Sequence, residues 1–317
     1  MVTGRILENL ITTPRGLTVA PSRCLRMRYA ESGCGRCAAV CPASAIGLEG
    51  GLELLERNCT GCLVCSAVCP SGALEAQADF SRLIAALAAH RFPALVVGCG
   101  KSGASLHQRL PCLGMLSGEH LLALYAAGGA IVQLDAVGCG GCPAGSMLAG
   151  LEARLRETGE SCGLPLGERV RVVTDSREID FREEALDRRG FFQSFRKLAF
   201  QGIATALAPS PPERQTLSYM DKSLPVRRGL LNAAIASLPA ESASAAGKAF
   251  SFSIDFGAAC DGCLGCVRAC PTEALAEPDG DSPETRPPLF DPERCTGCGL
   301  CAEFCLSGAI RLEPPLS

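Results

Sequence analysis

Cysteine supplies most of the chemistry this 317-residue chain can do, with 21 copies against 3 histidines. Thiolates at short fixed spacings bind soft metals. Three runs share the spacing C-x2-C-x2-C-x3-C: Cys59, Cys62, Cys65, Cys69; Cys260, Cys263, Cys266, Cys270; and Cys295, Cys298, Cys301, Cys305. A C-x2-C-x2-C loop can wrap three thiolates round three corners of an iron-sulfur cube, while the turn carries the fourth Cys to a neighbouring cube. Zinc also accepts C-x2-C pairs, but a third Cys at the next step has no natural role in a four-coordinate knuckle.

A fourth run is irregular. In CLRMRYAESGCGRCAAVCP only Cys34, Cys37 and Cys41 keep the register; Glu31 stands where the first ligand is expected, and Cys24 lies further upstream. All four runs close on one repeated unit, CPASAI at Cys41, CPSGAL at Cys69, CPTEAL at Cys270 and CLSGAI at Cys305, where Leu306 replaces the proline. Small residues between the ligands, Gly35, Gly61, Gly262, Gly265 and Gly297, let backbone N–H groups approach the sulfurs.

These two terminal blocks closely resemble bacterial dicluster ferredoxins. The resemblance implies four 4Fe-4S clusters. It assigns Cys260, Cys263, Cys266 and Cys305 to one cube and Cys270, Cys295, Cys298 and Cys301 to its neighbour. In the first block it implies Cys41, Cys59, Cys62 and Cys65 for one cube, and Cys34, Cys37, Cys69 plus a fourth ligand for the other. Four cubes need sixteen thiolates, and the terminal blocks hold 16 cysteines only when Cys24 is counted. Lengthening the loop costs about 1–2 kcal/mol in chain entropy, which is small beside metal-thiolate ligation. Cys24 is the preferred ligand; a 3Fe-4S cluster or ligation by Glu31 are the alternatives. Arg26 and Arg28 either favour the reduced cluster by charge or are ordinary surface residues.

Four more cysteines, Cys99, Cys112, Cys139 and Cys142, share the middle of the chain. Cys99 follows ALVV, and Cys139 and Cys142 follow AIVQLDAV, so both loops leave strands at the carboxyl edge, where α/β domains place ligands. This region resembles the cysteine-bearing delta subunits of methyl-viologen-reducing hydrogenases and, more loosely, thioredoxin-like 2Fe-2S ferredoxins. A 2Fe-2S centre is the leading expectation, with 4Fe-4S, zinc and no metal as alternatives. Cys162 stands alone and reads as structural. Gly98, Gly100 and Gly103 match the dinucleotide fingerprint without its downstream acid, and the Gly-Lys-Ser at 100–102 lacks the upstream glycine of a P-loop. His107 and His120 read as surface or capping residues rather than ligands.

Around these residues the pattern is α+β, with two dicluster ferredoxin-like modules, 1–78 and 250–317, flanking a small parallel α/β domain at 79–207 and a linker at 208–249. Apolar periodicity predicts helices over 79–91, 117–127 and 144–158 and strands over PALVV, AIVQL and RVRVV. The linker, with APSPPE, SLPAES and ASAAGK, carries a short helix near 225–237. The segment DRRGFFQSFRKLAFQGIATALAP reads as an amphipathic helix packed on its own domain, with a docking helix as the alternative.

Composition narrows the function. An odd cysteine count and an N-terminus without an apolar signal core point to a reducing, cytoplasmic setting rather than a disulfide framework, and no apolar run is long enough to span a membrane. From Phe250 to Ser317, 4 Arg and no Lys face 11 Asp and Glu, a formal −7. That balance disfavours nucleic acid and suits docking on a basic protein surface, or is a solvated acidic face. Cubes closed by four thiolates have no open coordination site. The expected role is therefore a non-catalytic, polyferredoxin-like conduit for single electrons within a larger anaerobic oxidoreductase. The alternatives are a redox enzyme with a catalytic or nucleotide-dependent middle domain and a scaffold with structural zinc.

Overall fold

The continuous apolar run of Ala94–Cys99 (β1) has five buried residues in succession, as expected of a strand covered on both faces. In the computed structural model, which describes residues 8–9, 11–13, 15–183, 216–217, 221–278 and 287–315, β1 lies inside a parallel four-stranded sheet. Its partners are Gln108–Leu110 (β2), Ile131–Asp135 (β3) and Val170–Val173 (β4), in the order β4-β3-β1-β2. Val97 pairs with Leu134 across β1 and β3, and Val132 with Val170 across β3 and β4. Strand β2 is not expected from the sequence pattern: QRL is too short and too polar to show a period.

Helices Phe80–Ala89 (α1), Gly118–Ala126 (α2) and Met147–Cys162 (α3) form where periodicity predicts them. The Asp79 side chain accepts the Arg82 N–H at the start of α1. Ser117 and His120 form a capping box on α2, and Gly163, at φ +61°, closes α3 in the left-handed conformation that glycine tolerates.

Of the segment expected as a linker, Val226–Ser237 (α4) forms the short helix. Residues 240–249 are not loose either: Ala240–Phe250 (α5) is a second helix. Its alanine-rich sequence has high helix propensity behind Pro239, and Leu230, Leu231, Ala234 and Ala246 are buried. The predicted amphipathic helix over 188–207 lies outside the described residues. Among the described residues no helix is long and apolar enough to cross a membrane.

Both ends repeat one plan of short helices, paired outer strands and an inner hairpin. In the first, Leu17–Val19 pairs with Leu74–Ala76, and Ile46–Gly47 with Glu53–Leu54. In the second, Ser253–Phe256 pairs with Ile310–Glu313, and Leu275–Ala276 with Leu289–Phe290. Their cores differ. Leu17, Leu63 and Leu74 belong to the same buried core as the central sheet, whereas Val267, Leu275 and Ile310 form a small core of their own.

Candidate metal centres

The cysteine loops are shaped by left-handed backbone. Gly61 and Leu63 have φ of +73° and +58°, Gly262 and Leu264 of +72° and +56°, and Gly297 and Gly299 of +62° and +83°. Each pair occupies the same two places between the thiols of its run. A leucine there costs about 1–2 kcal/mol, and such conformations persist where surrounding structure over-determines them, typically at functional sites. The repeated closing unit has its own signature: Ser44, Gly72, Glu273 and Gly308, each three residues beyond a Cys, have φ of +46°, +68°, +58° and +63°. Of the five glycines singled out in the sequence, Gly61, Gly262 and Gly297 adopt positive φ, whereas Gly35 sits at −132°.

The irregular run reaches the same end by another route. Cys24, Cys34, Cys37 and Cys69 line one cavity with Arg36. Cys24 is the N-cap of a one-turn helix, Leu25–Arg28, and Arg26 Nε donates to the Cys34 carbonyl at 2.7 Å, which draws in the long loop. Glu31 is exposed, and its carboxylate accepts the Tyr29 hydroxyl at 2.8 Å. Arg28 donates to the Asp221 carbonyl at 2.9 Å, on the far segment of the chain.

Electrostatics identifies the remaining gatherings. Burial, then the facing Cys69, Cys24 and Cys34, pushes the Cys37 thiol up to about 12. Cys65 is raised by burial and by Cys62, Cys37, Cys59 and Cys41. At the other end burial pushes Cys298 and Cys301 up to about 12, with Cys270 and Cys295 facing both. Burial likewise takes Cys266 to about 11, with Cys263 and Cys260 adding to it. Burial also acts on Cys305, but hydrogen bonds from Ser307 and from nearby backbone N–H groups outweigh it and lower this thiol. Thiolates packed this closely repel one another and would rather be protonated. They suit a cationic core that binds several sulfurs at once and displaces their protons. Among the described residues no three His, Cys, Asp or Glu side chains close to the geometry of a single metal ion.

In the middle of the chain Cys99, Cys112, Cys139 and Cys142 line one cavity with Lys101, Ser102 and Asp135. Strand β2 explains the second of these: it runs parallel to β1 and delivers Cys112 to the same carboxyl edge as Cys99. The connections after β1 and β3 leave in opposite directions, so the crevice between them is the switch point where open α/β sheets bind ligands. Lys101 donates its N–H to Cys99 Sγ at 3.4 Å and its ammonium to Cys142 Sγ at 3.7 Å. The buried Asp135 carboxylate accepts from the Ser102 hydroxyl and, at 3.1 Å, from the Val137 N–H. After Gly98, Gly100 and Gly103 the chain enters strand β2 rather than a helix, so the N–H cluster that would hold a pyrophosphate does not form.

Neither histidine approaches a thiol cavity. His107 Nδ1 accepts the Val96 N–H at 2.9 Å and Nε2 meets the Arg182 carbonyl at 3.0 Å. His120 is held neutral by burial, its pKa lowered to about 4, while its ring caps α2 and rests on Phe80. Cys162 is buried at the end of α3, and burial is the sole cause of its rise to about 11.

Three arginines are missed by sequence reading. Arg154 donates to the Leu116 and Gly114 carbonyls at 2.9 and 3.3 Å and braces the turn after Cys112. Arg227 donates to the Ser66 carbonyl at 2.9 Å and to the Cys69 carbonyl, and its Nε lies 2.9 Å from the Glu119 carboxylate as a charge contact. Arg228 donates to the Pro292 and Glu293 carbonyls at 2.8 and 2.9 Å. A pair of adjacent arginines in a helix normally reads as solvated charge; only the fold reveals that Arg227 and Arg228 are buried.

Paired thiol gatherings on repeated left-handed loops define an iron-sulfur dicluster protein, and the family described as the 4Fe-4S dicluster domain matches residues 32–73 and 259–309. An uncharacterized ferredoxin of Methanocaldococcus jannaschii is 38% identical over 52 residues, covering 16% of this chain and 76% of that protein. No solved structure matches the chain. The chain belongs to the ferredoxin family and is an iron-sulfur electron carrier of that type.

Proposed function

We propose that the protein is a five-centre, polyferredoxin-like conduit serving a larger anaerobic oxidoreductase of the cytoplasm. Four 4Fe-4S clusters occupy the terminal modules. Their ligand sets are Cys24, Cys34, Cys37 and Cys69; Cys41, Cys59, Cys62 and Cys65; Cys270, Cys295, Cys298 and Cys301; and Cys260, Cys263, Cys266 and Cys305. A 2Fe-2S centre is held by Cys99, Cys112, Cys139 and Cys142. The observation that carries this reading is the cavity lined by Cys24, Cys34, Cys37 and Cys69, which supports a full set of sixteen terminal thiolates.

When bound, the clusters supply reversible one-electron chemistry; the chain tunes it through charge, burial and N–H···S contacts. The Ala45 N–H on Cys41 Sγ, at 3.2 Å, is one such contact. Lys101 beside Cys142 favours the reduced form of the middle centre, as Arg26 does for the cluster at Cys34. The acidic C-terminal module suits a basic docking face on the partner.

Metal and sulfide analysis of anaerobically purified protein tests the reading. Five centres give about eighteen irons per chain, whereas about sixteen irons with one zinc would make the middle site a scaffold. A folded chain that is colourless and iron-poor would overturn the whole reading.

A further inference from the structure

The two terminal modules meet, and they meet at their metal loops. Ser32 Oγ donates to the Glu303 carboxylate at 2.7 Å, and the Gly33 N–H donates to the same carboxylate at 3.3 Å. Arg36, which lines the cavity of Cys24, Cys34, Cys37 and Cys69, donates to the Gly297 carbonyl at 3.1 Å. Gly297 lies between Cys295 and Cys298. The Tyr29 and Phe304 rings pack edge to face with centroids 5.3 Å apart.

A second strap joins the same two thiol sets from another side. Arg227 grips the carbonyl of Cys69, and the next residue, Arg228, grips the carbonyls of Pro292 and Glu293 just before Cys295. Upstream of them the Ser223 N–H donates to the Pro271 carbonyl, directly after Cys270, at 3.0 Å. Apart from the Tyr29–Phe304 ring pair, each of these contacts touches a residue at or near a member of Cys24/Cys34/Cys37/Cys69 on one side or of Cys270/Cys295/Cys298/Cys301 on the other. Contacts placed merely to hold two globules together have no reason to select these loops.

The middle site has its own joint. A Cβ added to Gly114, two residues after Cys112, would lie 2.1 Å from the Cys62 carbonyl oxygen, so the turn bearing Cys112 rests directly on the Cys62 loop. Within each module the fourth Cys of a run belongs to the neighbouring cluster in the assignment above, so each pair of cubes is adjacent.

We infer that these joints make one unbranched electron path. Its order is the middle centre, Cys41/Cys59/Cys62/Cys65, Cys24/Cys34/Cys37/Cys69, Cys270/Cys295/Cys298/Cys301 and finally Cys260/Cys263/Cys266/Cys305. The inference rests on the cluster assignment proposed above. Each step transfers one electron: one centre is oxidised, its neighbour is reduced, and no bond forms or breaks. Tunnelling falls steeply with distance, so the contact between modules decides whether the chain conducts along its length or works as two separate carriers. Cys263 and the fully exposed Leu306 mark the outer end, where an external partner exchanges electrons.

The test is pulsed EPR on the full-length protein, fully reduced, comparing wild type with Arg36→Glu and Glu303→Lys. These substitutions lie on opposite sides of the joint, so either one suffices if the other fails to assemble. Enhanced spin relaxation of the cluster at Cys24/Cys34/Cys37/Cys69, caused by its C-terminal neighbour, is expected in the wild type. It should be lost in both variants and kept in Glu303→Gln, whose amide oxygen can still accept the Gly33 N–H while its NH2 donates to the Ser32 hydroxyl oxygen. Unchanged relaxation in the two charge variants, with iron and sulfide at wild-type levels, would overturn the joint and leave the cluster assignment standing. An iron-poor wild type would overturn both.

Discussion

The irregular first cysteine run and the three regular runs solve one problem in two ways. The regular runs curl through two left-handed residues each, as at Gly61 and Leu63, so that close-spaced thiols face a common interior. The first run lacks that curl, with Gly35 at φ −132°, and brings in Cys24 from a separate helical turn pinned by Arg26. Local backbone strain can thus be exchanged for a longer loop and a side-chain hydrogen bond. The same number of thiols lines the cavity, the fourth from a position outside the regular spacing.

The sharpest way to break this comparison is Cys24→Ser. If the distant thiol is equivalent to a regular one, the variant loses the cluster at Cys34, Cys37 and Cys69, about four irons, or keeps it as a three-iron form with its own EPR signal. Glu31→Gln should leave the iron content unchanged, since Glu31 points to Tyr29. Full iron and unaltered spectra in Cys24→Ser would remove Cys24 from the ligands.

Next in size is a pH effect on the cluster-free chain. Cys37, Cys298 and Cys301 have folded-state values raised from 9.0 to about 12, so the folded chain binds more protons than the unfolded chain across that interval. Stability is therefore full below pH 9.0 and falls as pH rises toward about 12, by an amount on the order of a few kcal/mol. The loaded protein should lack this dependence, because its sulfurs carry metal rather than protons. Urea unfolding of both forms across the interval measures it.

Arg227→Ala comes third. It strips the partner from Glu119, whose largely buried carboxyl is nevertheless held below its usual range, burial being outweighed by Arg227 and by the Ser117 hydroxyl. Leaving a buried charge unpaired costs about 3–5 kcal/mol, and here it also frees the Cys69 carbonyl. The urea midpoint should drop accordingly, while Glu119→Gln with Arg227→Met should recover much of the loss.

What could be read beforehand follows from range. Thiol spacing and the periods of α1, α2, α3 and the three longer strands are local, and the structure places those elements as expected. Strand β2 is three residues long, and its role in bringing Cys112 to the sheet edge exists only through pairing with β1. Arg227 and Arg228 depend on carbonyls far along the chain, so nothing near them signals burial. Leu63 and Leu264 are harder still, because leucine is locally unsuited to their conformation and only the cage around them imposes it.

The smallest effects separate the two loop designs at single atoms. Gly297→Ala meets two penalties: a left-handed φ of +62° and a Cβ that would sit 2.0 Å from the Phe252 ring. It should cost about 2–4 kcal/mol from backbone strain and overpacking together. Gly299→Ala, at φ +83° with open space, keeps only the first penalty and should cost about 1–2 kcal/mol. Gly35→Ala, in open space at φ −132°, should be neutral or stabilise by up to about 1 kcal/mol, because alanine has less freedom to lose on folding. Anaerobic denaturation of the three loaded variants ranks them. If Gly35→Ala costs as much as Gly299→Ala, the first run shares the curl of the others, and the contrast between a strained loop and a borrowed ligand fails.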